Sequence, residues 1–205
     1  MMSAVEELER LDVAKFDEAA FVEFLENNGG ASGWGEGGRW ELIEGLPIDM
    51  PPATIAHGII AQNFERLLLG ALISRELNLD VQREAGVRHP TDEFFRPVAD
   101  LIVYDAAERQ GRNKDLFFQT CQLVAEVLSP RTRHHDLLFK RRRYLELPTC
   151  KHVILIEQDE MRLRHWARSA DWAETVHADP DDPIELPEFG FSCRLKDLYA
   201  RTDLV

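Results

Sequence analysis

The amino-acid sequence predicts an α/β protein in which a mixed central sheet is flanked by helices, and three observations carry that expectation. Apolar residues recur at helical spacing through residues 54–77. Two short apolar runs, 97–104 and 121–128, are each interrupted by a single acid and have the length of strands. Residues 153–156 are almost wholly apolar, as a central strand buried on both faces would be. The order helix, strands, long helix, three strands, helix, strand and hairpin is that of a sheet with helices packed against it.

Taken in order, residues 3–28 read as a helix, with Phe16, Ala19, Ala20, Phe21, Phe24 and Leu25 on one side and Gly29-Gly30 ending the run. Residues 31–38 hold four glycines and read as a loop. Residues 1–35 are therefore expected to form an N-terminal helical extension, with 36–205 as the main domain. Residues 40–44 and 46–50 suggest two short strands about Gly45, closed by Pro51-Pro52. Thr54 is placed to cap the long helix, with Ile55, Ile59, Ile60, Phe64, Leu67, Leu68, Leu72 and Ile73 expected on its buried side. Val81, Arg83, Ala85 and Val87 alternate as in a strand, and a helix is expected over 132–147, ending at Pro148. Residues 161–167 and 172–176 read as an outer hairpin arm, and 194–200 as a short terminal helix.

Composition narrows the functional classes. A chain of 205 residues is long enough for one domain with a substantial core. At 44% hydrophobic and 30% charged residues, it differs from a disordered chain. No run reaches the roughly 18 apolar residues that span a bilayer, and the acidic start lacks a secretory pattern. A cytoplasmic location without membrane partners is expected. Cys121, Cys150 and Cys193 are odd in number and widely spaced, so a disulfide framework or zinc site is disfavoured and buried thiols are expected. The net charge of −13 argues against coating nucleic acid with the whole surface. Yet residues 131–143 hold six Lys or Arg against Asp136 alone, a local excess of five positive charges that leaves −18 for the remainder.

The chemistry-bearing signal is a pair of acids inside apolar strands. Asp100 lies within Val98-Ala99-Asp100-Leu101-Ile102-Val103, and Glu126 within Leu123-Val124-Ala125-Glu126-Val127-Leu128. A lone acid in such a context usually marks a strand end or pairs with an arginine. Two in consecutive strands, followed at once by a basic helix, make a shared carboxylate site an equal contender. Adjacent like charges require a cation between them or a raised pKa, and hard oxygen ligands suit Mg²⁺ or Mn²⁺. In the following helix, Asp136 and Lys140 are four apart, about 40° around the axis. Tyr144 continues that face, and Lys140 falls at the margin of the apolar arc. From spacing alone, an exposed Asp136–Lys140 pair of small energetic weight is the favoured reading.

Trp40-Glu41-Leu42-Ile43-Glu44-Gly45, Met50-Pro51-Pro52, His57, Asp100-Leu101-Ile102-Val103, Glu126-Val127-Leu128-Ser129-Pro130, Asp136 with Lys140 and Tyr144, and Leu147-Pro148 stand in the order and spacing of the Uma2 family. That family is a branch of the PD-(D/E)xK nuclease superfamily, and the resemblance covers about residues 39–200. It implies a restriction-endonuclease-like core and hydrolysis of phosphodiester bonds in DNA with Mg²⁺ or Mn²⁺. It implies Asp100, Glu126 and the carbonyl of Val127 as metal ligands, and Lys140 as the stabiliser of developing charge. Glu44 would add a carboxylate, and His57 a contact to metal or phosphate. Such proteins often pair, so a homodimer is expected, although no residue here carries that expectation. Two positions depart from the pattern. Leu128 stands where the ordinary motif has its lysine, which is why the role passes to Lys140, and Ala99 stands where proline usually precedes the aspartate. The competing expectation is a catalytically inactive relative acting as a nucleic-acid or protein-binding module; a hydrolase of another phosphate ester would use the same site.

Overall fold

The computed structural model describes residues 15–28, 39–112, 114–130, 133 and 136–205. The expectations for residues 3–14 and for the loop 31–38 lie outside the described residues. The chain divides into two compact units, Met1–Pro51 with Thr91–Arg96, and Pro52–Pro90 with Pro97–Val205.

In the first unit, helix α1 (Glu18–Asn28) is capped by Asp17, whose Oδ1 accepts from the Ala20 N–H at 2.8 Å. Phe21 and Leu25, one turn apart, are its buried residues. Strands β1 (Arg39–Ile43) and β2 (Leu46–Met50) pair antiparallel about Glu44-Gly45. Both turn residues have positive φ, 52° and 83°, as a two-residue hairpin turn that matches strand twist demands. Arg96 is buried against Glu18 and the carbonyls of Asp92 and Phe95, which satisfies a charge that would otherwise be costly to desolvate.

The second unit is built on a seven-stranded sheet in the order β5-β3-β4-β6-β7-β8-β9. The strands are β3 (Leu79–Val87), β4 (Val98–Asp105), β5 (Phe117–Phe118), β6 (Leu123–Leu128), β7 (His152–Glu157), β8 (Leu163–Ala167) and β9 (Glu174–His177). The β3/β5 and β6/β7 pairs are parallel and the others antiparallel. Residues 163–167 and 174–177 therefore extend the main sheet; they are not a separate arm. Helix α2 (Ile55–Ser74) begins at Thr54, whose hydroxyl accepts from the His57 N–H at 3.1 Å. Ile60, Phe64, Leu68 and Leu72 bury its inner face at helical spacing. Ile55 and Ile73, expected inside, are 84% and 68% exposed, and Leu67 is exposed as well; Leu67 and Ile73 each sit one residue, about 100° around the axis, from buried Leu68 and Leu72.

A second hairpin, β10 (Pro183–Leu186) with β11 (Phe191–Arg194), and the short helix α4 (Leu195–Leu198) complete the core around α2. Its sequence pattern was too short to be anticipated as a hairpin. The ring of Phe191 meets Phe64 edge-on at 5.7 Å. Leu101, Val103, Leu123, Ala125, Val127, Ile154 and Ile156 belong to this core. Because side chains alternate along a strand, Asp100, Ile102, Tyr104, Val124 and Glu126 fall on the opposite face of the sheet. The expected helix over 132–147 is a π-helical turn (Asp136–Lys140) running into helix α3 (Arg141–Leu145). The three cysteines are free and buried, and burial raises each thiol, Cys150 and Cys193 to about 12. Among the described residues, no helix is long and apolar enough to cross a membrane.

Two expectations about stability follow. A Cβ added to Gly86, where β3 meets the β5 edge, would lie 2.5 Å from the Leu116 carbonyl and 2.9 Å from the Phe117 ring. Gly86→Ala should cost about 1–3 kcal/mol in urea unfolding, and a neutral outcome would contradict that packing. On the core side, His152 Nδ1 lies 2.8 Å from His165 Nε2, and His152 Nε2 lies 2.9 Å from Glu188 Oε1. Burial, aided by the charges of His152 and His177, pulls His165 from its ordinary 6.5 down to about 4. The unfolded chain then binds more protons than the folded one between those values, so stability falls as pH drops through that window. The urea midpoint of His165→Gln should depend less steeply on pH from 6.5 to 4.5 than that of the parent; equal slopes would refute this assignment.

Candidate active site

Strands β4 and β6 are hydrogen-bonded as far as Leu101↔Ala125. The next residues in register are Asp100 and Glu126, and there the carboxylates take over the work of the ladder. The Asp100 N–H donates to Glu126 Oε2 at 3.1 Å, and the Val127 N–H donates to Asp100 Oδ2 at 2.8 Å. Each acid thus satisfies a main-chain donor exposed where the strands stop pairing, which is why two carboxylates survive in an otherwise apolar interior. Asp100 and Glu126 are both buried.

Two helices complete the cluster from opposite sides of the acid pair. From the first turn of α2, His57 brings Nε2 to 3.0 Å from Asp100 Oδ1. From the π-helical turn, Lys140 places Nζ 3.5 Å from Glu126 Oε1 and 3.4 Å from Asp136 Oδ1. One helical turn further on, the Tyr144 hydroxyl donates to Glu126 Oε1 at 2.7 Å. At the end of β7, Gln158 Oε1 accepts from the Thr54 hydroxyl at 2.9 Å, tying that strand end to the start of α2.

The charge balance of the cluster is acidic: Asp100, Glu126 and Asp136 face the ammonium of Lys140 and the imidazole of His57. Burial alone would raise the Asp100 carboxyl, but the hydrogen bond and charge of His57, the Val127 N–H and Lys140 together hold it below the usual aspartate value. Glu126 goes the other way. Burial pushes it well above the ordinary glutamate value, opposed by the Lys140 ammonium and the Tyr144 hydrogen bond and reinforced by the Asp100 and Asp136 charges. Divergent carboxylates held together in this way are a recognised signature of a chemical site. Two adjacent carboxylates are hard oxygen donors of the kind a divalent cation takes, but among the described residues no group of three or more His, Cys, Asp or Glu side chains is arranged to hold a metal ion.

The sequence-derived candidates His57, Asp100, Glu126, Val127 and Lys140 thus converge. Glu44 belongs to the β1–β2 turn of the first unit, half-buried with φ 52°. Lys140 is not at the margin of the buried face but 1% exposed, and the Asp136–Lys140 pair is buried, contrary to the exposed pair expected from spacing. The π-helical turn, which adds a residue to the helical repeat, carries both inward. Tyr144 was expected only to continue the helix face; its contact with Glu126 could have been suspected from the Asp136, Lys140, Tyr144 spacing of four. Within the basic stretch 131–143, Arg133 lies 3.0 Å from Glu157, while Arg142 at 3.7 Å and Arg143 at 2.9 Å share Glu146. Arg141 stacks over Trp166 at 4.9 Å. Removing the phenol hydroxyl with Tyr144→Phe keeps the packing volume but strips a donor from buried Glu126. It should lower stability by about 1–2 kcal/mol, measured by urea unfolding; an unchanged midpoint would contradict the bond's role.

The family model for Uma2, described as "Putative restriction endonuclease", matches residues 25–196. A crystal structure described as a putative nuclease belonging to DUF820, from Anabaena variabilis ATCC 29413, is similar in fold. Its TM-score is 0.69 at 16% identity, covering 90% of this chain and 98% of that one. A comparison with curated proteins found no match. At that identity the structural likeness speaks for the fold, a mixed sheet with flanking helices, and the sequence match speaks for descent. Together they place the chain in the Uma2 family.

Proposed function

We propose that the protein is a divalent-metal-dependent endonuclease that hydrolyses phosphodiester bonds in DNA. The observation that carries this reading is the reciprocal contact of Asp100 and Glu126 at the end of the β4/β6 ladder, with Lys140 buried against it. Asp100, Glu126 and the carbonyl of Val127 would hold Mg²⁺ or Mn²⁺, the cation competing with His57 and Lys140 for the same carboxylate oxygens. When bound, such an ion lowers the pKa of a coordinated water and offsets charge on the scissile phosphate.

The chain's own groups divide the remaining work. Lys140, held between Glu126 and Asp136, would act on developing negative charge in this water-poor site more strongly than it would in bulk water. Tyr144 fixes the Glu126 carboxylate in one orientation. His57 orients Asp100 through Oδ1, 3.0 Å from its Nε2, and would contact the metal or the phosphate. Glu44 is proposed as an additional carboxylate of the site. The second reading, an inactive nuclease-fold module that binds nucleic acid or protein, is favoured by one observation: both carboxylates are already engaged by protein donors.

Plasmid cleavage and calorimetric titration with Mn²⁺ separate the two. The parent protein should nick DNA with Mg²⁺ or Mn²⁺ and lose activity in chelator. Asp100→Asn and Glu126→Gln should each reduce the rate about 100-fold or more while keeping the parent's circular dichroism. Undiminished cleavage by folded Asp100→Asn sinks the nuclease reading, and absence of Mn²⁺ binding to the parent selects the inactive module.

A further inference from the structure

Apart from the acid cluster, a concavity lies in the larger unit at the β5 edge of the sheet. Its volume is about 150 Å³, and Tyr104, Phe117 and Phe118 supply its aromatic floor. The Tyr104 and Phe118 rings lie 4.5 Å apart, tilted by 55°. An engineered apolar cavity of about 150 Å³ accepts one benzene, so the space suits a single six-membered ring.

The walls decide what kind of ring. Arg109 is bound to Asp80 at 2.6 Å, and Arg112 to Glu108 at 2.8 Å and to Asp115 at 2.6 Å. Each guanidinium already has its counter-charge, so the cleft offers no free positive charge to a phosphate or carboxylate. Glu108 is itself locked by the main-chain N–H groups of Gln119 and Thr120. Gln82 donates its amide to the Arg83 carbonyl at 2.9 Å, which leaves its side-chain carbonyl without a partner among the described residues. The cleft therefore combines an aromatic floor, in which Phe118 is half-buried and Tyr104 and Phe117 are buried, with one acceptor and the outer N–H groups of Arg109. That suits a flat, uncharged ring bearing an N–H beside a carbonyl, as a pyrimidine base does.

Its placement connects it with the acids. Asp100, Ile102 and Tyr104 alternate onto one face of β4, and Gln82, opposite Ile102 in register, shares that face. Tyr104 is four residues along the strand from Asp100, about 13 Å at the rise of a β-strand. That is a distance a nucleic-acid strand covers within a few nucleotides.

We propose that this cleft binds one unpaired pyrimidine base. Only the choice of source, a DNA strand or a free nucleoside, rests on the nuclease reading. The test uses full-length Asp100→Asn protein. Its probes are thymidine, a single-stranded deoxythymidylate oligomer with one 5-iodouracil, and the same oligomer with an abasic position in place of the labelled base. Ultraviolet cross-links from the labelled oligomer should map to Tyr104, Phe117 or Phe118 by mass spectrometry. Amide resonances of residues 82, 104–109 and 117–118 should shift on titration.

Gln82→Leu, at an exposed position outside the acid cluster, should weaken binding about tenfold without changing the fold. Shifts with thymidine alone identify a nucleoside site, and shifts only with the oligomer identify a strand site; either supports the proposal. Absence of cross-links to these rings, together with equal affinity for the abasic oligomer, overturns it. Parent protein that cleaves DNA yet gives that negative result loses the cleft but keeps the nuclease reading. Cross-links in a protein that never cleaves do the reverse.

Discussion

Where β4 and β6 cease to pair, two main-chain N–H groups would be left in a dry interior, and the side chains of Asp100 and Glu126 accept from them. The rest of the site depends on that constraint. A buried carboxylate is tolerable only with hydrogen bonds and a counter-charge, so Lys140, Tyr144 and His57 must come from two separate helices to meet it. The same contacts that make the pair tolerable also leave it unequal. Asp100 is held below the usual aspartate value by His57, Val127 and Lys140, whereas burial pushes Glu126 above the usual glutamate value, so the two carboxyl groups differ in environment.

The helix that supplies Lys140 shows how local geometry serves this demand. A regular α-helix over this stretch places Lys140 at the edge of its apolar arc. The π-helical turn rotates Asp136 and Lys140 inward, and the helix recovers α geometry in time to aim Tyr144 at the same carboxylate. A buried lysine between two carboxylates is an expensive arrangement unless its partners stay in place. The site is therefore rigid by necessity, since loss of any one contact exposes the others to desolvation without compensation.

The sheet keeps its two faces apart. One is closed by α2, the β10/β11 hairpin and α4 into an apolar core, with the His165–His152–Glu188 chain paired beside it. The other carries the acids at one end and the aromatic cleft at the β5 edge. Period-two alternation along β4 is what allows Leu101 and Val103 to serve the core while Asp100 and Tyr104 serve the opposite surface.

By itself, the sequence determined the strands carrying Asp100 and Glu126, the long helix with its Thr54 cap, and the buried cysteines. These follow from short-range periodicity and capping chemistry, which neighbouring residues settle among themselves. It also marked Asp100 and Glu126, because an ionisable group in an apolar run is anomalous wherever it occurs, whereas Lys140 and His57 were marked only by the resemblance to the Uma2 family. Tertiary structure alone decided that Lys140 is buried, that residues 163–177 join the main sheet, that residues 183–194 form a hairpin, and that Ile55 and Ile73 stay exposed. The physical reason is that burial and strand pairing depend on partners far away in the chain. The free energy that twists a helix into a π turn or recruits a short edge strand comes from those partners, and local sequence carries no trace of it.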